Sequence, residues 1–420
     1  MRRTLALTLV LLACFAATAT ATGTPTAGRL TGTPSASRPT STPTAAHLRF
    51  AIRPGVAWPD VPLTAARNQI VVLLPWQQAL MHRLKAANPH LIVLEYKDLA
   101  NTSSYAPVDG VAPDGVTYEQ AVDGHPSWLL RTRTGQPIRC RGYSYLWAMN
   151  IGNRGFQRAW TAEVVHELVS QGWSGVFMDN VDPTIRYYHD PANVAQYPTD
   201  AAYTAATTSA LAYAAPRIHA AGKLVMANIG SWPNYEATGM HWLKYLDGAM
   251  DEHFVKYTDT PGQGYRSTAE WRTELAILQQ SQREGKWFIG LTESTEGDTA
   301  AARYGWASML LGDAGRATFA LQNDTRYGVE TWFPDYDAPL GTARGAAREE
   351  PSGVYGRRFS NGLVLVNPTT ATHVVELGGR YSGDGLRASE TATMAPHSGL
   401  ILTRAQHTRV QGAGRRGTER

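Results

Sequence analysis

The stretch GWSGVFMDNVDP, Gly172–Pro183, sets the reading of the whole chain. Gly172 stands where a C-cap closes the helix-period segment Arg154–Gln171. The apolar run Gly175–Asp179 follows and ends in an acid, an amide (Asn180) and a second acid (Asp182). Helical spacing then resumes over Asp200–Ala221, with Gly222 just past its end. A buried strand between two helices is a βα unit, and repetition of such units implies a parallel sheet.

Working outward, the pattern repeats. Candidate strands precede the stretch at Arg49–Arg53, Ile70–Leu74, Leu91–Tyr96 and Tyr145–Asn150. Others follow it at Lys223–Asn228, Gly248–Glu252, Lys286–Leu291 and Ala317–Gln322. Further helices are expected over Gln77–Ala87, Thr268–Glu284 and Asp298–Leu311. Nine strands predict an α/β fold, a (β/α)8 TIM barrel with one extra pairing or insertion. A doubly wound sheet is the alternative, but no G-x-G-x-x-G or Walker motif follows any strand, so neither nucleotide chemistry nor a cofactor is expected. Residues 101–145 read as an insertion, with a hairpin over Ser127–Ser144 across one mouth of the barrel.

From Gly353 to Thr403 the helical period is gone and Ser360-Asn361-Gly362 signals a hairpin, so a small C-terminal antiparallel β domain is expected. All 12 Trp precede it. The expected layout is a leader (1–21), a linker (22–46), the catalytic barrel (47–335), the β domain (345–404) and a tail (405–420).

The hydrophobic fraction of 43 % supports a sizeable core, and the formal charge of +4 is misleading. Residues 1–46 and 404–420 each carry a surplus of four positive charges, which leaves the body at −4. A slightly acidic body argues against a nucleic-acid partner. Arg2-Arg3, the apolar run Leu5–Ala17 and the small residues after it form a secretory leader, too short to span a bilayer. Cleavage after Ala21 is the plain reading. Leu11-Leu12-Ala13-Cys14 also resembles a bacterial lipoprotein box, with Leu12 unusual at its position, and would put a lipid anchor on Cys14. Residues 18–46 are almost entirely Thr, Ala, Pro, Ser and Gly, a flexible exported linker. With Cys14 in the leader, Cys140 is alone, so neither a disulfide framework nor a cysteine metal cluster can form. A monomer is expected, with no transmembrane segment.

Reactive groups of such barrels sit at the C-terminal strand ends. There this sequence places Trp76, then Glu95, Tyr96, Lys97 and Asp98, then Trp147 and Asn150, then Asp179, Asn180 and Asp182. Beyond them stand Asn228 and Trp232, then Asp251, Glu252 and His253, then Glu293 and Gln322. Carboxylates, amides and aromatics are what sugar chemistry uses: two acids for the bond, rings for the sugar faces, amides for the hydroxyls. Asp179 and Glu252 are the candidate catalytic pair, although Asp179 could instead cap a loop, and Glu293 competes for the acid role. Pleat alternation turns Asp251 to the other face. Lys97 reads as a sugar-binding cation or as the partner of a catalytic carboxylate, and His253 as a supporting hydrogen-bond partner. Trp76, Tyr96, Asp98, Trp147, Asn150, Asn180, Asp182, Asn228, Trp232 and Glu293 are candidate substrate-binding residues. Asp179, Asp182 and His253 could in principle ligate a metal, but no motif with metal-ligand spacing supports that, and no metal is expected. G-x-S-x-G is absent as well.

The string SGVFMDNVDP, with LIVLEYKDL before it and AMDEHF after it, resembles the hypothetical glycosyl hydrolase-like family 15 group. More distantly it is similar to the endo-α-1,4-polygalactosaminidase barrels of glycoside hydrolase family 114. The resemblance implies a TIM barrel whose catalytic pair maps to Asp179 and Glu252, with Asp179 as nucleophile and Glu252 as general acid/base of a retaining reaction. It makes the chain a secreted glycosidase acting on a carbohydrate substrate, an α-linked polysaccharide or oligosaccharide. The competing reading is a non-catalytic carbohydrate-binding barrel that uses Trp76, Trp147 and Trp232.

Overall fold

The computed structural model describes residues 60–323 and 332–405, together with the main chain of 47–51. The leader, the linker, Cys14 and most of the basic tail fall outside those residues. Eight parallel strands close a barrel: β1 (His47–Ala51), β2 (Asn68–Leu73), β3 (Ile92–Asp98), β4 (Gly175–Val181), β5 (Leu224–Ile229), β6 (Gly248–Asp251), β7 (Trp287–Glu293) and β8 (Ala317–Gln322). Each pairs with its sequence neighbour, and β1 closes the ring by pairing with both β8 and β2.

Helices alternate with the strands: α1 (Val61–Arg67), α2 (Gln78–Ala87), α3 (Arg154–Gln171), α4 (Asp200–Ala220), α5 (Glu236–Trp242), α6 (Thr268–Arg283) and α7 (Thr299–Gly312). Their ends follow local chemistry. The Asn153 side chain accepts from the Gly155 and Phe156 amides at the start of α3, and Gly172 ends it at φ 86°, in the left-handed region. Ser267 and Glu270 form a reciprocal capping box on α6. The short helices α1 and α5 were not expected, because seven residues barely develop a period.

The ninth expected strand, Tyr145–Asn150, is not a barrel stave. Its core, Leu146–Ala148, pairs antiparallel with Asn101–Ser103 as a ribbon between β3 and α3. Residues 130–138 form the expected hairpin beside it, with Ile138 N bonded to Leu130 O at 2.9 Å.

Two apolar layers hold the barrel. Ile70, Val72, Leu94, Phe177, Met226, Met250, Ile289 and Leu291 fill its interior. The alternate residues of the same strands, among them Val71, Val93, Val176, Val225, Ala249 and Phe288, belong to the larger cluster under the helices. Strands buried on both faces read as continuous apolar runs, as these do.

The C-terminal sheet has six strands: β9 (Arg348–Glu349), β10 (Tyr355–Arg358), β11 (Gly362–Asn367), β12 (His373–Gly383), β13 (Leu386–Met394) and β14 (Ser398–Arg404). Their order is β9-β10-β11-β14-β12-β13, and Ser360-Asn361 makes the expected turn between β10 and β11. The sheet packs on α7. A Cβ added at Gly399 would lie 2.7 Å from Ala307 Cβ and 2.8 Å from Arg303 O, so only glycine permits that approach. Arg357 donates to the carbonyls of Leu310 and Asp313, both at 2.7 Å, and Arg303 pairs with Asp335 and Asp384, each at 2.7 Å.

Candidate active site

Alternation builds the site. The residues that share a face with the interior layer are, one step further along each strand, Tyr96 and Asp98 on β3, Asp179 on β4, Asn228 on β5, Glu252 just past β6, Glu293 on β7 and Gln322 on β8. Register keeps them level: Asp98 faces Asp179 across β3 and β4, and Glu293 faces Gln322 across β7 and β8. Trp76, half-buried past β2, packs against the top of the interior layer.

Three donors converge on the Asp179 carboxyl. Its Oδ2 accepts from Tyr96 Oη at 2.6 Å. Its Oδ1 accepts from the Asn180 amide at 2.9 Å and from Asn228 Nδ2 at 3.0 Å. Burial raises the Asp179 pKa above the ordinary carboxylate range, and these three donors oppose the rise. Asn180 adopts φ 57°, a left-handed turn that asparagine tolerates. Its Nδ2 donates to Asp98 Oδ2 at 2.8 Å, which pins that turn directly after Asp179.

The Asn228 amide joins the two candidate acids. The same Nδ2 that donates to Asp179 Oδ1 at 3.0 Å donates to Glu252 Oε2 at 2.8 Å. The two oxygens therefore lie no further apart than the sum of those distances. Glu252 and His253 occupy the turn after β6. His253 Nδ1 lies 3.4 Å from Glu293 Oε2. Burial acts to lower the His253 pKa, but the bond to Glu293 and the charges of Glu252 and Glu293 outweigh it, and the net direction is up. Asp251 points outward, as alternation requires, and lies buried near Arg266.

Further acids surround this pair. Burial pushes Asp182 up to about 7, with the charges of Asp179 and Glu252 adding to the rise and the Tyr188 hydroxyl, which donates to Asp182 Oδ2 at 2.6 Å, opposing it. Asp114 also rises to about 7, chiefly through burial, while accepting from the Ser103 amide at 2.7 Å. Asp98 is driven well up by burial and then by the Asp179 and Asp114 charges. Tyr188 and Asp114 were not anticipated. A short 3-10 turn, Ile185–Tyr187, brings Tyr188 back onto Asp182, and Asp114 arrives from the insertion; neither carries a motif.

Four expected contributors stand elsewhere. Lys97 lies on the outer face of β3, fully buried, paired with Glu167 of α3 and 3.7 Å from Glu95, and it donates to Ala112 O at 2.8 Å. It is partner to no catalytic candidate. Trp232 is buried in the outer layer against Phe288, with ring centroids 5.9 Å apart. Trp147 packs in the ribbon, its ring 4.3 Å from the Arg139 guanidinium and 5.4 Å from Tyr118. Asn150 is tied to Tyr197 and, at 3.2 Å, to Ser127 O. Phe254, next to His253, packs outward on Phe288, with ring centroids 5.5 Å apart.

Residues 85–363 match a family described as hypothetical glycosyl hydrolase family 15. Among solved structures, the glycoside hydrolase domain of PelA from Pseudomonas aeruginosa is 14% identical, with 69% of this chain and 98% of that chain covered and a TM-score of 0.46. Ega3 from Aspergillus fumigatus, in complex with galactosamine, is 13% identical over 69% of this chain and 94% of that chain, with a TM-score of 0.43. The maltogenic α-amylase AmyB from Thermotoga neapolitana is 11% identical over 86% of this chain and 99% of that chain, with a TM-score of 0.48. No curated protein matches the chain.

Proposed function

The chain belongs to the hypothetical glycosyl hydrolase family 15 and is a glycosidase, and from that premise we propose that it is secreted and cleaves α-linked carbohydrate with Asp179 and Glu252 as its two working carboxyl groups. The observation that carries the reading is the Asn228 amide shared between them. It holds their nearest oxygens within the combined 3.0 Å and 2.8 Å of its two bonds, under the roughly 6.5–9.5 Å of inverting pairs and compatible with the about 5–5.5 Å of retaining ones. Secretion is inferred from the Arg pair, apolar run and small-residue segment at the N-terminus.

In this mechanism Asp179 attacks the anomeric carbon while Glu252 delivers its proton to the departing glycosidic oxygen. Water then displaces Asp179 and returns a proton to Glu252. Tyr96, Asn228 and the Asn180 amide favour the ionised form of Asp179 that attack requires. Lys97 has no part in this. Trp76 at the mouth offers a face for a sugar ring.

The test is a panel of α-linked glycans and aryl glycosides. Asp179→Asn should abolish turnover and keep glycan binding. Glu252→Gln should slow substrates with poor leaving groups and spare activated aryl glycosides. If Glu293→Gln gives that leaving-group pattern and Glu252→Gln does not, Glu293 is the acid; undiminished turnover in Asp179→Asn sinks the mechanism.

A further inference from the structure

The turn that carries Glu252 and His253 is built under tension. Val255, a β-branched residue, sits at φ 60°, the left-handed region that such side chains avoid. Something must hold it there, since strained backbone persists only where its surroundings over-determine it. The restraint comes from outside the barrel. Glu274, on α6 and fully buried, accepts from the Val255 amide through Oε2 at 2.9 Å and from Arg266 Nε through Oε1 at 3.1 Å. Arg266 in turn donates to the His253 carbonyl at 3.3 Å, and its own amide donates to Val255 O at 3.0 Å. On the other side the segment is fixed to β7, with Phe254 N on Leu291 O at 3.0 Å and Thr292 Oγ1 on Phe254 O at 2.7 Å.

We propose that Glu274 is a positioning residue: it clamps Val255 and Arg266 so that the turn presents Glu252 and His253 to the barrel axis. The inference rests on the reading of Glu252 as proton donor. Four groups on three elements converge on this clamp. Asp251 at the end of β6 and Glu270 on α6 face Arg266 alongside Glu274, and His253 sits above them in the turn. A carboxylate in this position does what a hydrophobic side chain could not. It satisfies an amide that the kink has taken out of any strand ladder, and it orients the guanidinium that holds the next carbonyl. The network meets the site at the His253 carbonyl, which Arg266 holds, and the Arg266 charge acts to lower the His253 pKa from there.

The test compares Glu274→Ala with Glu274→Gln, which keeps an acceptor for the Val255 amide. In Glu274→Ala, turnover of α-linked oligosaccharides should fall about 100-fold, the scale of a misplaced catalytic group. Activated 4-nitrophenyl α-glycosides, which need little protonation, should lose only a few-fold. Glu274→Gln should recover most of the difference. Amide hydrogen exchange at residues 252–256 should quicken in Glu274→Ala, and it is read on the same samples, so a poorly folding variant is recognised by exchange throughout the chain and replaced by Glu274→Gln. Equal losses on both substrate classes, or unchanged exchange, overturn the proposal. A wild-type protein inactive on both classes refutes the functional reading instead, and exchange alone then decides the clamp.

Discussion

Replacing Tyr96 by phenylalanine removes a single oxygen, and its consequence can be worked out from one contact. The hydroxyl donates to Asp179 Oδ2 at 2.6 Å in a buried site. Burial and the Asp179 and Asp98 charges drive the Tyr96 pKa well up, so it stays a donor at every working pH. A hydrogen bond to a charged acceptor contributes about 1.5–3 kcal/mol. It favours the ionised carboxyl, so its loss raises the Asp179 pKa. At about 1.36 kcal/mol per unit, the rise is about one to two units. Activity that needs ionised Asp179 falls away as pH drops through that value, so the acidic limb of the kcat/KM profile should move to higher pH by the same amount. The assay is a pH series on an activated aryl glycoside, with circular dichroism at each pH to exclude unfolding. An acidic limb that stays in place, or moves down, refutes the assignment of Tyr96 as the donor that sustains Asp179.

Lys97→Met should leave Glu167 and Glu95 buried without their cation, and should cost about 3–5 kcal/mol in a urea melt. Turnover per folded molecule should not change; a selective rise in KM would restore a substrate role for Lys97. Asp114, pushed up to about 7, holds a proton in the folded state that the unfolded chain has already lost. Its contribution therefore costs stability increasingly as pH rises from about 4 to about 7. Asp114→Asn keeps an acceptor for the Ser103 amide and should match wild type at pH 4 yet exceed it at pH 8, by up to about 4 kcal/mol. Parallel melts at the two pH values decide it. Gly399→Val should destabilise by about 1–3 kcal/mol through the contact with Ala307 and Arg303, with kcat of the folded fraction unchanged.

The barrel was legible because each stave is a short apolar run ending in a polar residue, and the spacing of helices between them left little choice. Tyr145–Asn150 has the same composition as a stave. What separates it is its pairing with Asn101–Ser103, a non-local fact that no local pattern encodes. The neighbourhood of Asp179, Asn228 and Glu252 was legible from their places at strand ends. Lys97 was misplaced for a related reason: β3 is buried on both faces, so alternation of polarity is erased, and only the register with Leu94 and Tyr96 shows that Glu95 and Lys97 face the helices. Trp232 was misread because an aromatic in a loop suggests a sugar platform, whereas Gly239 opens a slot that its indole fills; a Cβ there would lie 2.2 Å from the ring. The clamp of Glu274 on Val255 spans 19 residues and has no signature in either segment.

Helix α7 has 11 of its 14 residues buried, because β7 and β8 cover one side and the C-terminal sheet covers the other. A helix apolar all round cannot face water. The sheet is therefore no detachable module. A gene fragment ending after β8 would encode a barrel with an adhesive flank, and shuffling this barrel onto another tail would fail unless the tail brought a matching surface. Lineages and engineers alike would therefore have to exchange the barrel and its sheet together.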